Sequence, residues 1–327
     1  QSSGAIAGAY LTRAYGKQYM ELLLLSAGAL LAGSLLLYNI ANKRVSVQGT
    51  GDADKPTEDT KPQEPLSKEG GFQLILRSRY LLAIAFMILV ATLFNTNGEY
   101  LMGRMYGLEA DKYYPETMFT DTWVSGVNAG TQPLPPELAK ADVQVITDET
   151  ARTAKLGKMR KGFGTAFFGS FYLWVNIAGA LIQLLLVSRI FKYIGVRGAI
   201  FILPVIATTG SVFFGILGTL YALRISKTAE NSLDYSLQNT VKQALFLPTT
   251  REEKYKAKAA TDTFFFRVGD ASSAAMVALA THVLFLSVRQ FAIANAALGV
   301  AWVALCVVIY REHKRKVPVD AAKKLPG

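Results

Sequence analysis

The sequence predicts an all-α, polytopic membrane helix bundle. Apolar runs of bilayer length recur at 20–40, 80–102, 164–188, 198–222, 262–287 and 290–310. A helix rises ~1.5 Å per residue, so ~20 apolar residues cross the ~30 Å hydrocarbon layer. The charged residues are only 18% of a chain that is 51% hydrophobic, and they cluster between those runs. A further segment, 227–247, has the same length but carries Lys227, Glu230, Asn231, Asp234, Gln238, Asn239 and Lys242 where hydrocarbon would surround them. Ionisable groups at that depth face a bundle interior or a wet cavity.

The elements follow in order. Gln1 is not a start methionine, and no charged leader precedes an apolar core and a cleavage site. Gly4 to Leu11 reads as the tail of a span already under way, so the chain is expected to begin inside a longer one. Residues 1–40 then hold the end of one span and the whole of the next. Residues 41–77, with Pro56, Pro62, Pro65, several glycines and mixed charge, read as a disordered cytoplasmic linker. The bundle proper is expected over 78–316, followed by a tail at 317–327. An extramembrane loop at 104–160 interrupts it, long for a connection between helices. Its prolines (Pro115, Pro133, Pro135, Pro136) and aromatics (Tyr113, Tyr114, Trp123) predict some local structure.

Counting 227–247 as a span makes seven. Short loops flank it, and omitting it would put the basic segments Arg189–Arg197 and Arg251–Lys258 on opposite sides, against the positive-inside bias. The short basic hairpin 189–198, turning at Gly195, is read as a lock between helix ends. With the Arg311–Lys316 tail in the cytoplasm, 41–77, 189–197 and 251–258 lie there too. The cluster Arg152, Lys155, Lys158, Arg160 and Lys161 then falls outside, against the rule.

The formal charge of +11 belongs to loops beside a membrane surface; no RNA- or DNA-binding motif accompanies it, and no nucleic-acid partner is expected. A lone cysteine, Cys306, excludes an internal disulfide, and His282 and His313 stand too far apart in sequence to suggest a metal site. There is no Walker loop, no H-E-x-x-H and no nucleophile–base pair, so no enzyme, catalytic residue, metal or cofactor is expected. Transport would be secondary or an exchange.

At ~100° per residue, Lys227, Glu230, Asn231, Asp234, Tyr235, Gln238 and Lys242 share an arc of roughly 140°. The remaining face is rich in Ala, Leu, Ser and Thr, which let neighbouring helices approach. One wet face and one packed face describe a cavity-lining helix; buried salt bridges, such as Lys227 with Glu230 or Asp234, are the competing reading. Lys242 has no acidic residue within a turn of its own helix, so its partner is expected on another helix, in a ligand or in interfacial water. The run Asn95-Thr96-Asn97-Gly98-Glu99 is a second polar cluster. Glu99 either pairs with Arg104 or lines the cavity opposite Lys242. In Arg251–Asp270, Lys254, Lys256 and Lys258 read as a positive-inside anchor. Deeper lie Asp262, Arg267 and Asp270. Arg267 either pairs with Asp270 at i,i+3 or grips a phosphate.

These motifs resemble a known family. K-x-A-E-N-S-x-D-Y-S (from Lys227), K-Q-A-L-F-L-P (from Lys242) and R-E-x-K-Y-K-A-K-A-A-x-D-T-F-F-x-R-x-G-D (from Arg251) are similar to the ATP/ADP translocases of plastids and intracellular energy-parasitic bacteria. The likeness is closest to their free-living bacterial branch, within the major facilitator superfamily. It continues in FFGSFYLWVN (Phe167–Asn176), VSRIFKYIGVRGA (Val187–Ala199) and NTNGEY (Asn95–Tyr100), and covers about 80–311. The resemblance implies twelve helices in two bundles around a central cavity. This chain would hold the end of the fifth, the sixth and the whole C-terminal bundle. Family members depend on a few intramembrane charges, and Lys242 and Glu99 fall on matching positions.

The reading is therefore a secondary nucleotide antiporter working by alternating access. Lys242 would bind phosphate and Glu99 would couple or gate, with Lys227, Glu230, Asn231, Asp234, Gln238, Asn97 and Arg267 completing the substrate-binding set. Its partners would be an anionic nucleotide, the lipid bilayer of a bacterial inner membrane, and an N-terminal bundle in the same or a separate chain. The rivals are a non-transporting membrane subunit that scaffolds a complex through 104–160, and a transporter of another organic anion.

Overall fold

In a computed structural model, the described residues are 70–135, 138–139 and 143–316, with isolated helical positions at Gly28, Ala32, Gly33 and Leu36. The expected span at 20–40, most of the 41–77 linker and the 317–327 tail lie outside them. The described residues are helical with no strand. Helix α1 is Gly71–Arg77, α2 is Arg79–Tyr113 and α3 is Asp121–Asn128. Helix α4 is Glu149–Tyr193, α5 is Gly195–Leu217 and α8 is Val288–Lys316. Helix α6 runs from Leu220–Leu233 through a π turn, Asp234–Gln238, into Asn239–Leu245. Helix α7 is a more broken rod: π turns at Glu253–Ala257, Thr261–Phe265 and Leu279–Val283 flank Lys258–Ala260 and Phe266–Ala278.

Four of these helices, α2, α4, α5 and α8, are long and apolar enough to cross a membrane. The segments expected as spans at 227–247 and 262–287 are helical but are not among the four. Both are too polar for hydrocarbon on every side, the second carrying Asp262, Arg267 and Asp270.

Several boundaries correct the expectations. The apolar run 198–222 is two helices, because Gly218 takes φ +63° and ends α5, and the Thr219 hydroxyl accepts from the Ala222 amide to start α6. A side chain at that left-handed glycine would be strained. Helix α6 therefore begins at Leu220, about two turns before the expected 227. The last residues of the expected linker form α1, whose Phe72 ring meets Phe264 of α7 edge-on at 4.9 Å. Ser78 then caps α2, accepting from the Leu81 amide at 3.4 Å. The hairpin between α4 and α5 turns at Gly195, φ +70°, as read from sequence.

The expected loop 104–160 shrinks to 114–148, because α2 runs on to Tyr113 and α4 starts at Glu149, capped by Asp148. It folds as a cap with its own core of Tyr114, Met118, Phe119, Trp123 and Val127 against Leu156 of α4. Three of the cations that opposed the positive-inside rule build this cap. Arg160 donates to the Tyr114 carbonyl (2.7 Å) and pairs with Asp111 (2.8 Å). Arg152 reaches the carbonyls of Glu116 and Met118, and the Lys155 ammonium lies 4.1 Å from the centre of the Phe119 ring.

Within the bundle, α8 packs against α2 and α5, α7 against α2, and α6 against α5, α4 and α2. Small residues set the closest approaches. The Gly269 Cα lies so near the Leu89 carbonyl and Thr92 that an added Cβ would sit 2.9 Å from each. Apolar side chains also cover the outside: Leu184 is 75% exposed and Ile216 72%. That outer coat suits lipid contact.

Gly269→Val is expected to force α7 from α2 and lower stability by about 1–3 kcal/mol, as overpacking does. Gly103→Ala, where a Cβ meets nothing within 4 Å, is the neutral control. Thermal unfolding in detergent measures both, and equal melting temperatures would contradict the packing.

Candidate functional site

The polar ladder of α6 divides into a dry half and an open half. In the dry half Lys227 is 2% exposed, and its ammonium meets Glu230 at 2.8 Å, the Asn95 side-chain oxygen at 2.7 Å and Glu99 at 3.6 Å. Asn231 donates to the same Glu99 oxygen at 2.8 Å. One cation thus sits among two carboxylates and an amide, with α2 and α6 joined through it. Room for the lysine comes from Gly98: a Cβ there would stand 2.9 Å from the ammonium nitrogen. The space left beside this cluster is about 10 Å³, no more than one water needs. Lys227 and Glu230 thus form the buried salt bridge of the competing reading. Glu99 pairs here with Lys227 and Asn231, neither with Arg104 nor opposite Lys242. It keeps 33% of its side chain exposed.

The open half lies toward the other end of α6. Lys242 stands fifteen residues from Lys227, about 22 Å along a helix. Contrary to expectation its partner is on its own helix: Asp234 approaches at 3.5 Å, and each side chain is 25% exposed. The lysine reaches back across the π turn, farther than the single-turn search assumed. That turn also explains why the predicted arc breaks. One extra residue per turn shifts the downstream phase by about 100°. So Asn231 and Gln238 are fully buried while Tyr235 is 54% exposed. Neither end of the Gln238 amide finds a hydrogen-bond partner among the described residues.

Around Lys242 the open half gathers further polar groups. Lys258 of α7 donates to Gln243, and Asp262 lies within electrostatic reach of Lys258 and Lys242. Between α4 and α6 a recess of about 290 Å³ is lined by Asn176, Gln183, Tyr235, Asn239 and Thr240 above a floor of Val175 and Gly179. Asn176 and Gln183 were missed as site residues. They sit in a run that reads as apolar, and the available signal was two amides seven residues apart on one helical face.

Two other candidates serve the bundle. Asn97 is fully buried, accepts from Ser273 at 2.7 Å and donates to Asn295 at 3.3 Å, so it ties α2 to α7 and α8. Arg267 pairs with Asp270 at 3.5 Å, and Asp270 also accepts from Thr96 at 3.2 Å. This is the structural pair, with the arginine 80% exposed at the surface. His313 accepts from Arg197, and the Cys306 thiol faces the Ile200 carbonyl; both belong to helix packing.

Membrane-length helices with an apolar outer coat, enclosing a polar ladder, define an integral membrane protein built as an α-helical bundle. Residues 224–313, which carry most of α6, all of α7 and most of α8, match the family model described as TLC ATP/ADP transporter. That match points to a carrier, not an enzyme. The chain is similar, at 26% identity, to ADP,ATP carrier protein 1 of Chlamydia trachomatis serovar D. The similar region is 32% of this chain and 24% of that carrier, so the chain spans about a quarter of the length of the relative it matches. No solved structure matches it.

Removing Lys227 alone would strand Glu230 and Glu99 without their cation. Lys227→Met is expected to destabilise by about 3–5 kcal/mol, and adding Glu230→Gln should restore most of the loss. A double-mutant cycle on thermal unfolding reads this; additive effects would deny the pairing.

Proposed function

We propose that the chain is the C-terminal bundle of a secondary transporter that exchanges nucleotides of the ATP/ADP type by alternating access. In this reading it adopts the major facilitator architecture of the free-living bacterial branch and sits in a bacterial inner membrane. The observation that carries the reading is the open half of α6. Lys242 is held loosely by Asp234, partly solvated, beside Lys258 and a polar recess, in the stretch that matches the ATP/ADP transporter model.

The chemistry suits an anionic substrate that must leave again. A nucleotide arrives with several negative charges, and ammonium groups replace part of the hydration it loses. A lysine is a mobile point charge, so each phosphate contact stays exchangeable. A phosphate reaching Lys242 competes with Asp234, which then faces solvent or Asp262's neighbour Lys258. Such exchange of ion partners gives the ligand differential affinity for two states of the bundle, which is what shifts a population. The exposed polar sides of α4, α6 and α7 would face a second bundle across the cavity, with rocking about a midplane site. Glu99 fits a coupling role: it is the exposed edge of the Lys227 cluster, so a charge arriving in the cavity is felt by the buried pair.

Lys242→Ala is expected to abolish exchange of labelled ATP in proteoliposomes of the full-length protein, while Lys242→Arg keeps a reduced rate. A wild-type rate in Lys242→Ala would remove this residue from the mechanism. A thermal-shift comparison of nucleotides with sugar phosphates separates ATP/ADP exchange from transport of another organic anion.

A further inference from the structure

The recess between α4 and α6 has a composition that phosphate binding does not explain. Its five polar lining residues, Asn176, Gln183, Tyr235, Asn239 and Thr240, include no cation. Asn176 uses its amide nitrogen on the Tyr172 carbonyl (2.7 Å), and the Thr240 hydroxyl donates to the Ser236 carbonyl (3.2 Å). The Gln183 and Asn239 amides and the Tyr235 hydroxyl make no side-chain hydrogen bond among the described residues. Each of those amides therefore offers a donor and an acceptor side by side. Tyr235 adds a ring that is 54% exposed at the rim.

Two π turns meet here. Gln183 lies in the turn Ile182–Leu186 of α4 and Tyr235 in the turn Asp234–Gln238 of α6, and the two turns are in contact. Such turns are frequent at functional sites because they swing side chains off the regular wheel. The helices close beneath them, where the Gly179 Cα faces the Ser232 carbonyl and a Cβ would lie 3.4 Å from it. At about 290 Å³ the space sits at the small end of ligand pockets, room for one heterocycle and not a whole nucleotide.

We infer that this recess is a nucleobase subsite, and that it prefers adenine. The inference rests on the nucleotide reading above and adds the part of the substrate that Lys242 does not hold. An amide with paired donor and acceptor matches the N6 and N7 edge of adenine, whereas the O6 and N7 edge of guanine presents two acceptors and is best met by a cation. Tyr235 stacks on the base, as exposed rings do for single bases. The Lys242 ammonium reaches back to 3.5 Å from Asp234, the residue beside Tyr235, so a cation stands near the rim where the phosphates would extend.

The test is displacement of labelled ATP from the full-length protein in nanodiscs by ATP, GTP and inorganic tripolyphosphate. Wild type, Gln183→Leu and Asn239→Leu are compared, with both substituted side chains exposed and melting temperatures recorded. In wild type ATP is expected to compete at least tenfold better than GTP or tripolyphosphate. Each variant should weaken ATP about tenfold, draw ATP and GTP together and leave tripolyphosphate unchanged. ATP and tripolyphosphate binding alike in wild type, or ATP unaffected in both variants, overturns the base subsite alone. Binding of neither by wild type overturns the nucleotide reading, and this inference with it.

Discussion

A buried ammonium organises this bundle. Lys227 cannot be charged in an apolar interior without carboxylates beside it, and the nearest come from its own helix and from α2. Glu230 supplies the close contact, Glu99 the second charge and Asn95 a neutral acceptor. This arrangement requires α2 and α6 to touch at one height, and Gly98 is the position that lets them. Breaking the cluster strands a charge, whereas replacing the whole pair by apolar residues need not destabilise. Its contribution is therefore to specify the register of α6 against α2 more than to add net stability.

That register determines what the rest of α6 can do. Before the π turn Lys227 and Asn231 bond to α2 and are sealed. From the turn onward, Asp234, Tyr235, Asn239 and Lys242 lie toward α4 and α7, where they stay partly solvated. The second π turn, in α4, presents Gln183 to the same space. One polar helix thus does two jobs that composition alone does not separate.

The outer cap shows the same economy of charge. Cations that look misplaced by the positive-inside bias are consumed in closing a small fold, where Arg160 and Arg152 donate to loop carbonyls. The bias acts on charges free to meet a membrane surface. Among the described residues, Lys158 and Lys161 make no side-chain contact that builds the cap.

Sequence by itself determined the all-helical class, the membrane-length runs that became α2, α4, α5 and α8, the turn at Gly195 and the importance of the charged stripe in α6. These are local properties: an apolar length, a glycine able to take positive φ, an ionisable residue in an apolar neighbourhood. Tertiary structure decided the rest. Whether Lys227 is sealed or wet depends on Glu99 and Asn95, some 130 residues away in sequence. Asn97 looked like a solute ligand until Ser273 and Asn295 arrived from α7 and α8 to occupy it. Lys242 looked unpartnered because a 3.6-residue wheel contains no π turn. Asn176 and Gln183 became visible only when α4 lay against α6, since a polar side chain acquires a role from what packs beside it.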